Sequence, residues 1–465
     1  MFFKHVYDTD LAQGSYIIGC QQTGEAVVVD ARRDVETFIN IAAAEGLRIT
    51  KVTETHIHAD YLSGSRELAQ RTGAELLLSA EGGPDWQYGF AHTPLKHNSS
   101  FTVGNVRITA LHTPGHTPEH LSFLVTDLPR GDEPTMVLTG DFVFVGDLGR
   151  PDLLDEAAGF VDTRFAGAQQ LFDSLKNVFL ALPDHVQVWP GHGAGSACGK
   201  ALGAVASTTV GYERHTAWWA SYLAQNDTEG FIEELLTGQP DAPLYFGRMK
   251  RLNRDGPALL QETELTEYTS EQLVGRVNRD LILVDTRTAT EQREDPIAGA
   301  LTVPEGGSFV TYASYVLDPE LDDRSIVLLA PNAGAAADMA HRLSWVGIDN
   351  VHGFVTELEQ LPRGSARRVA PHELGPTPNA VMLDVRTKTE FEAGHIANAT
   401  QLHAGRVLYH VAELPREKQV VVYCQGGGRA AVVLAMLRAK GFGNTTELAG
   451  SFDEWSALFP EAVAR

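Results

Sequence analysis

Cysteine, basic residues and long apolar runs are all scarce in this 465-residue chain. The three cysteines lie far apart, which excludes a disulfide framework and is typical of a reducing compartment such as the cytoplasm. There are 37 Lys and Arg against 60 Asp and Glu, and the resulting net charge of −23 argues against nucleic acid or an anionic membrane surface as a partner. No apolar run approaches the roughly 18 residues that a membrane-spanning helix needs.

The N-terminal stretch and the overall composition predict a folded, globular protein. Residues 1–14 contain Asp8 and Asp10 and no long apolar core, so we interpret them as part of the fold and not as a signal peptide. Hydrophobic residues make up 43% of the chain, which is enough to build several cores, and the length predicts about three domains. The sequence leaves the oligomeric state open, including a homo-oligomer.

Four predicted strands each end at a side chain that can bind a metal ion. Gly or Pro-Gly precedes three of these side chains and lets the backbone turn sharply. Strand ends of a sheet open onto a common edge, and imidazole nitrogens and carboxylate oxygens suit a divalent metal, so the pattern predicts one shared metal site. The four segments are Thr55-His56-Ile57-His58-Ala59-Asp60-Tyr61, Thr113-Pro114-Gly115-His116, Val137-Leu138-Thr139-Gly140-Asp141 and Val186-Gln187-Val188-Trp189-Pro190-Gly191-His192.

In their order and residue types, these segments resemble the signature of the metallo-β-lactamase superfamily and, within it, of the glyoxalase II branch. The resemblance implies an αββα sandwich. It also implies a second metal in the dinuclear members, held by residues that correspond to Asp60 and His192 and by one further histidine. This chain has Tyr61 at the position of that histidine. Because a neutral phenol is a poor substitute for imidazole, the departure favours a single ion.

The single-ion branch that this chain resembles is that of the persulfide dioxygenases. The resemblance implies one Fe(II) per chain, held by His56, His116 and Asp141. Two histidines and one carboxylate leave open positions opposite them, as in the non-haem Fe(II) oxygenases. Hydrogen bonds from neighbouring side chains would fix the orientation of these ligands. The residues expected to give that support are His58, Asp60, Tyr61 and His192.

Two further residues near these segments invite a functional interpretation. Arg150 could clamp a substrate carboxylate through its guanidinium, or it could form an internal salt bridge to Asp147 or Asp152. Both interpretations of Arg150 are open. Cys198 lies shortly after the last metal-binding histidine, and we interpret it as a buried or idle thiol near the mouth of the site.

From about residue 265 onward the chain repeats itself. Leu281-Ile282-Leu283-Val284-Asp285-Thr286-Arg287 matches Ala380-Val381-Met382-Leu383-Asp384-Val385-Arg386, and Ile326-Val327-Leu328-Leu329 matches Val420-Val421-Val422-Tyr423. Each copy has strands followed by a helix, which predicts two parallel α/β domains after the αββα sandwich. The predicted division is 1–245 for the metal-binding domain, 246–264 for a linker, 265–362 for the first copy and 363–465 for the second.

The second copy contains a candidate nucleophile. Cys424 follows a predicted buried strand and opens a six-residue loop that Arg429 closes, just before a predicted helix. Backbone N–H groups, the helix N-terminus and the arginine all favour a reactive thiolate there. The loop residues between them, which we expect to bind the substrate, are Gln425, Gly426, Gly427 and Gly428.

This loop and the strand with Asp384 and Arg386 resemble the rhodanese family. The resemblance implies that Cys424 carries sulfane sulfur as a persulfide. The corresponding segment of the first copy, Leu329-Ala330-Pro331-Asn332-Ala333-Gly334, contains neither cysteine nor arginine. We therefore interpret the first copy as a structural or docking domain that forms no persulfide.

The combined resemblance implies a dioxygenase that oxidises a thiol persulfide, of glutathione or coenzyme A type, with O2 to sulfite. A rhodanese reaction between persulfide or sulfite and thiol or thiosulfate would be coupled to it, in a direction that the sequence leaves open. Two alternatives remain. One is a Zn-dependent thioester hydrolase of glyoxalase II type, which uses a metal-bound hydroxide. The other is a non-catalytic sulfur-carrier protein.

Overall fold

The computed structural model describes residues 1–153, 155, 163–261 and 264–465. The chain forms two compact units. The first comprises Met1–Ala242 and Phe246–Leu260, and the second comprises Pro243–Tyr245 and Gln261–Arg465. Within the described ranges, no helix combines the length and the apolar character that crossing a membrane requires.

Two six-stranded sheets form the first unit. The strands of one sheet, listed in spatial order, are β1 (Phe2–Asp8), β2 (Gln13–Cys20), β3 (Glu25–Val29), β4 (Arg48–Thr53), β5 (Glu75–Ser79) and β6 (Thr93–Leu95). The strands of the other sheet, listed by sequence, are β7 (Ser100–Val103), β8 (Val106–His112), β9 (Leu121–Asp127), β10 (Met136–Gly140), β11 (Gln187–Pro190) and β12 (Thr208–Thr209). The spatial order of this second sheet also follows the sequence, from β7 to β12. β2 and β3 form an antiparallel hairpin.

The helices of the first unit cover the outer faces of the two sheets. They are α1 (Val35–Ala44), α2 (Ser65–Thr72), α3 (Thr163–Asn177), α4 (Val210–Thr216), α5 (Ala220–Gln225), α6 (Thr228–Leu236) and α7 (Tyr245–Asp255). The segment from 210 to 236 thus contains three helices, α4, α5 and α6. The predicted linker begins as α7, which packs on the first unit through Asn253, whose amide donates to the carbonyls of His58 and Tyr61.

The packing of the first unit explains why its strands are so apolar. Side chains such as Ile18 and Val29 from the first sheet meet Ile108, Phe123 and Leu138 from the second in one buried cluster. The outer face of the first sheet packs on α1 and α2, and the outer face of the second packs on α3, α5 and α6. The unit is therefore an αββα sandwich, which confirms the predicted fold class for this part of the chain.

The second unit contains two parallel five-stranded sheets. The strands of the first are β13 (Thr266–Tyr268), β14 (Leu281–Asp285), β15 (Leu301–Thr302), β16 (Ser325–Leu329) and β17 (Val351–Val355), and the strands of the second are β18 (Arg368–Val369), β19 (Val381–Asp384), β21 (Thr400–Gln401), β22 (Val420–Tyr423) and β23 (Thr445–Leu448). A separate two-stranded sheet pairs β20 (His395–Ile396) with β24 (Val463–Ala464). The spatial orders are β13–β17–β16–β14–β15 and β18–β23–β22–β19–β21. Because corresponding strands occupy corresponding places, the two copies share one topology, as the internal repeat predicts.

Helices flank both sheets of the second unit. They are α8 (Ser270–Leu273), α9 (Ala289–Glu294), α10 (Phe309–Val316) and α11 (Ala333–Ser344) in the first repeat, and α12 (Pro371–Leu374), α13 (Lys388–Ala393), α14 (Ala404–His410), α15 (Gly428–Ala439) and α16 (Ser451–Leu458) in the second. Here the first repeat means residues 265–362 and the second repeat means residues 363–465. The strands between the helices are buried, as expected for parallel sheets covered on both faces.

The four strands predicted to end at metal ligands come from both sheets of the sandwich. β4 belongs to the first sheet, whereas β8, β10 and β11 belong to the second. The two sheets meet at this edge through backbone hydrogen bonds, from Leu121 N–H to the Thr55 carbonyl and from Gly14 N–H to the Gly191 carbonyl. The edge of the sandwich thus brings the loops after these four strands together.

Gly64, just before α2, lies against the backbone of Arg32, and this close approach can be tested. A methyl group on Gly64 would lie 2.0 Å from the Arg32 carbonyl oxygen, whereas one on Gly73, where φ is +69°, would meet nothing within 4 Å. We expect Gly64→Ala to lower the free energy of unfolding by about 3 kcal/mol through overpacking against backbone. Gly73→Ala should cost only about 1 kcal/mol, from its left-handed backbone. Urea denaturation of the two variants checks this, and equal destabilisation would contradict the packing described.

Candidate metal centre and sulfur-transfer loop

Three side chains that follow β4, β8 and β10 converge on one buried point. Asp141 Oδ2 lies 3.5 Å from His116 Nε2 and 3.9 Å from His56 Nε2, and all three residues are buried. Both carboxylate oxygens of Asp141 are buried, and no nitrogen or oxygen of the described residues donates a hydrogen bond to them. Two imidazoles and a carboxylate with unused acceptor atoms form a donor set that fits a divalent metal ion.

The protonation state of His56 and His116 also fits a role as metal ligands. Burial lowers the pKa of His56 well below its ordinary value, and burial lowers the pKa of His116 as well. The imidazoles are therefore neutral. His116 Nδ1 lies 3.0 Å from the Arg150 carbonyl, and His56 Nδ1 lies 2.9 Å from Thr55 Oγ1. These bonds hold the proton on Nδ1 and leave the Nε2 lone pairs facing Asp141.

Asp30, which follows β3, organises this arrangement and was missed in the sequence. Its carboxylate accepts hydrogen bonds from Thr55 N–H at 2.7 Å and from Thr55 Oγ1 at 3.0 Å, so it fixes the threonine that holds His56. Asp30 has a φ of +55°, a left-handed conformation that aspartate tolerates better than most residues. The sequence did contain a signal for Asp30, because this residue, like the four candidate segments, follows a buried strand.

His58 lies beside the three converging residues but binds Asp30. Its Nε2 is 3.0 Å from Asp30 Oδ1. Burial alone would lower the pKa of His58, but the Asp30 carboxylate outweighs burial and raises the pKa to about 9. In this arrangement His58 bonds to Asp30, and its role in supporting the metal ligands stays a prediction.

Tyr61 is turned away from the candidate metal centre. Its hydroxyl donates to the Asp30 carbonyl at 3.3 Å and accepts from Gln13 Nε2 at 3.4 Å. Burial raises the pKa of the phenol well above its ordinary value, so the group stays protonated. Tyr61 therefore does not take the place of a histidine ligand in this structure.

A second group of potential ligands lies beside the first. His192 Nε2 is 3.3 Å from Asp60 Oδ2 and 3.6 Å from Asp141 Oδ2, and Cys198 Sγ is close enough to complete a set of three donors with Asp60 and His192. His192 Nδ1 bonds to the Ala12 carbonyl at 3.0 Å, which leaves Nε2 directed at the carboxylates. Burial raises the pKa of the Cys198 thiol well above its ordinary value, and the two nearby carboxylates add to this effect.

Arg150 forms an internal salt bridge to Asp152 and not a clamp for a substrate carboxylate. Its Nε and Nη2 donate to the two carboxylate oxygens of Asp152 at 2.8 and 2.6 Å, and its Nη1 donates to the carbonyls of Ala197 and Pro240. The side chain is 1% exposed. Because its guanidinium is occupied, Arg150 contributes to the site through its carbonyl, which bonds to His116.

Two more residues near the metal centre were missed in the sequence because their roles depend on tertiary contacts. His120 Nε2 accepts from the Asp141 N–H at 3.2 Å, and its ring stacks on His56. Glu119 Oε1 accepts from Ile57 N–H at 2.7 Å, and burial raises the pKa of this carboxyl to about 7. Nothing in their spacing distinguishes these residues from other polar residues in a turn.

The loop that follows β22 in the second repeat begins at Cys424, which is 2% exposed. Gly427 N–H donates to Cys424 Sγ at 3.1 Å, and Cys424 N–H donates to Ser451 Oγ at 2.8 Å. Gly427 has a φ of +97°, which a side chain would disfavour. The loop thus delivers a backbone donor to the sulfur, as the sequence suggested.

The remaining loop side chains are engaged with the protein. Arg429 forms a bidentate pair with Glu390, with both N···O distances at 2.7 Å. Burial raises the pKa of Glu390, but Arg429 outweighs this and lowers the pKa to about 2. Gln425 accepts from Arg386 and donates to Asp453. Around Gly426, by contrast, the space that a side chain would occupy is open.

The corresponding loop of the first repeat has a different use. Asn332 lies just before α11, and its side-chain oxygen accepts from Ala335 N–H at 2.9 Å. The segment therefore caps a helix where the second repeat presents a thiol. That the first repeat forms no persulfide stays a prediction.

The Asp30 network generates a prediction about metal affinity. Asp30→Asn keeps the size and tolerates the left-handed backbone, but it weakens the bonds to Thr55 and His58. We expect metal affinity at His56 and His116 to fall about 10- to 100-fold. Competition with a coloured chelator measures this. Asp132→Asn, which changes an exposed residue of the same unit, is the control, and equal affinities in the two variants would contradict the role of Asp30.

Two parts of the chain resemble known protein families. Residues 8–192 match the metallo-beta-lactamase superfamily, and residues 372–458 match the rhodanese-like domain. A solved metallo-beta-lactamase from Staphylococcus aureus subsp. aureus COL is 38% identical with a TM-score of 0.69, and the match covers 77% of this chain and 99% of that chain.

Two curated relatives match the metal-binding part of the chain. The hydroxyacylglutathione hydrolase-like protein of Mus musculus is 30% identical over 177 residues, covering 38% of this chain and 56% of that protein. The cytoplasmic hydroxyacylglutathione hydrolase of Arabidopsis thaliana is 32% identical over 180 residues, covering 38% of this chain and 62% of that protein. The chain thus spans less than two thirds of the length of either relative. Taken together with the sandwich and the ligand segments, these matches show that the chain belongs to the metallo-β-lactamase superfamily and carries a rhodanese-like domain after its metal-binding unit.

Proposed function

We propose that this chain is a non-haem Fe(II) persulfide dioxygenase coupled to a sulfurtransferase. The first unit oxidises the outer sulfur of a low-molecular-weight thiol persulfide to sulfite, and the second repeat transfers sulfur through Cys424. The observation that carries this proposal is the set of His56, His116 and Asp141, while Tyr61, at the position of a ligand to a second metal, bonds to the Asp30 carbonyl.

The donor set suits one Fe(II) ion, because two imidazoles and one carboxylate are the facial ligands of non-haem Fe(II) oxygenases. Bound there, Fe(II) would supply neighbouring open positions for dioxygen and a sulfur ligand. The chain's own residues prepare that chemistry. Thr55 and the Arg150 carbonyl fix the two rings, His120 holds the Asp141 backbone, and the buried setting limits the access of water.

The two proposed reactions balance and share sulfite. In the first, RSSH, O2 and H2O give RSH, sulfite and two protons, with the outer sulfur oxidised and dioxygen reduced. In the second, the sulfur of sulfite attacks the outer sulfur of the Cys424 persulfide. The S–S bond of that persulfide breaks, Cys424 leaves as a thiolate, and thiosulfate forms. The same step can run from thiosulfate back to a Cys424 persulfide.

Oxygen uptake tests the dioxygenase directly. With glutathione persulfide as substrate, we expect iron-loaded protein to consume O2 and release sulfite. His116→Ala and Asp141→Asn should each lower the rate at least ~100-fold, because each removes an iron ligand. His185→Ala, which changes an exposed histidine of the same unit, is the matched control and should behave as wild type. Unchanged uptake in Asp141→Asn would contradict the proposal.

A separate variant tests the division of labour between the two sites. Cys424→Ser should abolish the formation of thiosulfate from persulfide and sulfite, because the hydroxyl cannot carry sulfane sulfur at neutral pH. Oxygen uptake with glutathione persulfide should stay within about 2-fold of wild type, since iron chemistry does not need this thiol. Equal loss of both activities would show that the two reactions are not separable in this way.

A Zn-dependent thioester hydrolase remains the second candidate, and two observations favour it. The curated relatives of the metal-binding unit are hydroxyacylglutathione hydrolases and a hydrolase-like protein. The group of Asp60, His192 and Cys198 also offers donors for another ion, with a thiol in place of the histidine that Tyr61 replaces. This candidate requires two zinc ions and hydrolysis of a glutathione thioester, so metal analysis combined with a thioester assay separates it from the dioxygenase.

A further inference from the structure

The first repeat, which lacks a cysteine, makes close contact with the second. Asn278 Nδ2 donates to the Ala439 carbonyl at 2.7 Å, and Tyr409 Oη donates to Asp318 Oδ2 at 2.6 Å. These bonds connect the first repeat to α15 and α14 of the second. Of these two helices, α15 begins at Gly428, within the Cys424 loop.

Helix α10 of the first repeat packs on two glycines of the second. A methyl group on Gly405 would lie 2.9 Å from the ring of Tyr315, and one on Gly428 would lie 3.1 Å from the hydroxyl of Tyr312. Gly428 belongs to the Cys424 loop, and its φ is not in the left-handed region. A side chain at 428 would therefore crowd Tyr312 of the first repeat, whose hydroxyl would have to shift by a few tenths of an ångström.

Arg293, in α9 of the first repeat, reaches furthest into the second. Its Nη2 and Nε lie 2.6 and 3.0 Å from the carboxylate oxygens of Glu447, which is 6% exposed. The same Nη2 also donates to the Gly427 carbonyl at 3.0 Å. One guanidinium therefore binds a buried carboxylate on β23 and a carbonyl of the catalytic loop together, which its planar fork of donors allows.

The residue that Arg293 holds is the one that donates to the nucleophile. Gly427 N–H lies 3.1 Å from Cys424 Sγ, and the backbone there is left-handed with a φ of +97°. A methyl group on Gly427 would lie 3.1 Å from Arg293 Nη2. Fixing the carbonyl of Gly427 restrains the rotation of this glycine and so restrains the direction of its N–H. The second repeat has Glu392 where the first has Arg293, so this contact is available only from the first repeat.

We propose that the first repeat positions the Cys424 loop and that Arg293 is a positioning residue for sulfur transfer, acting through Gly427. The proposal rests on the proposed sulfurtransferase function for its kinetic consequence. Its structural consequence, a restrained loop, does not depend on that function. The first repeat then has a defined role: it completes a site whose thiol belongs to its neighbour.

Two variants separate the loop contact from the ion pair. Arg293→Lys keeps a charge for Glu447, but a single ammonium cannot also reach the Gly427 carbonyl in the same geometry. Glu447→Gln removes the charge of the pair yet keeps an oxygen that accepts from Arg293, so the loop contact remains. Arg276→Lys, in the same repeat and packed over Tyr268, is the matched control. All variants are made in the full chain.

Steady-state kinetics and hydrogen exchange measure the effect of these variants. We expect Arg293→Lys to lower kcat for thiosulfate formation about 10-fold, with KM for sulfite within about 2-fold, because the loop is less often in its productive geometry. Hydrogen exchange in the segment 424–430 should become at least ~5-fold faster in Arg293→Lys, with no change in the cores of either repeat. Glu447→Gln and Arg276→Lys should leave exchange in this segment as in wild type.

Each alternative outcome has a distinct meaning. Wild-type exchange and kcat in Arg293→Lys would overturn the inference. Faster exchange throughout the interface, in both Arg293→Lys and Glu447→Gln, would show a merely structural ion pair and would overturn it too. If wild-type protein transfers no sulfur, the proposed function fails, whereas exchange in the segment 424–430 still decides whether Arg293 positions the loop.

Discussion

The buried carboxylate of Asp141 is the constraint on which the first unit depends. An ionised carboxylate removed from water is costly unless a cation or several donors compensate for it. Around Asp141 the described structure provides three histidine Nε2 atoms, within 3.5 to 3.9 Å of Oδ2, and no nitrogen or oxygen that donates a hydrogen bond to either carboxylate oxygen. Such an arrangement is stable with a metal ion among these atoms. Each of these histidines is held in place by a hydrogen bond from its Nδ1 atom to a backbone or side-chain oxygen.

Much of this arrangement could be predicted from the sequence, for a physical reason. Strands end at sheet edges, so polar residues that follow apolar strands are brought together by topology alone, as for His56, His116, Asp141 and His192. The internal repeat similarly predicted two domains of one topology. The contributions of Asn253 and His120 were not predictable, because each depends on a contact between segments distant in sequence. For Arg150, a substrate clamp and an internal salt bridge were both open from the sequence, and only packing decided between them.

The two repeats of the second unit share one topology, but the same loop differs between them. In the second repeat the loop after the central strand presents Cys424, whereas in the first repeat the same place is used to cap a helix through Asn332. The glycines at 405 and 428 admit aromatic side chains of α10, and Arg293 reaches Glu447 and Gly427 from α9. The proposed sulfur transfer through Cys424 would thus depend on both repeats.

Tyr61 is the residue that most sharply separates the two enzymatic accounts of the first unit, because it replaces a ligand of a second ion. Anaerobic titration of metal-free protein with Fe(II), followed by the initial rate of O2 uptake with glutathione persulfide, addresses this directly. The account predicts that the rate rises in proportion to added iron and saturates at about one equivalent per chain. Saturation only at two equivalents, or no uptake at any iron level, would contradict it.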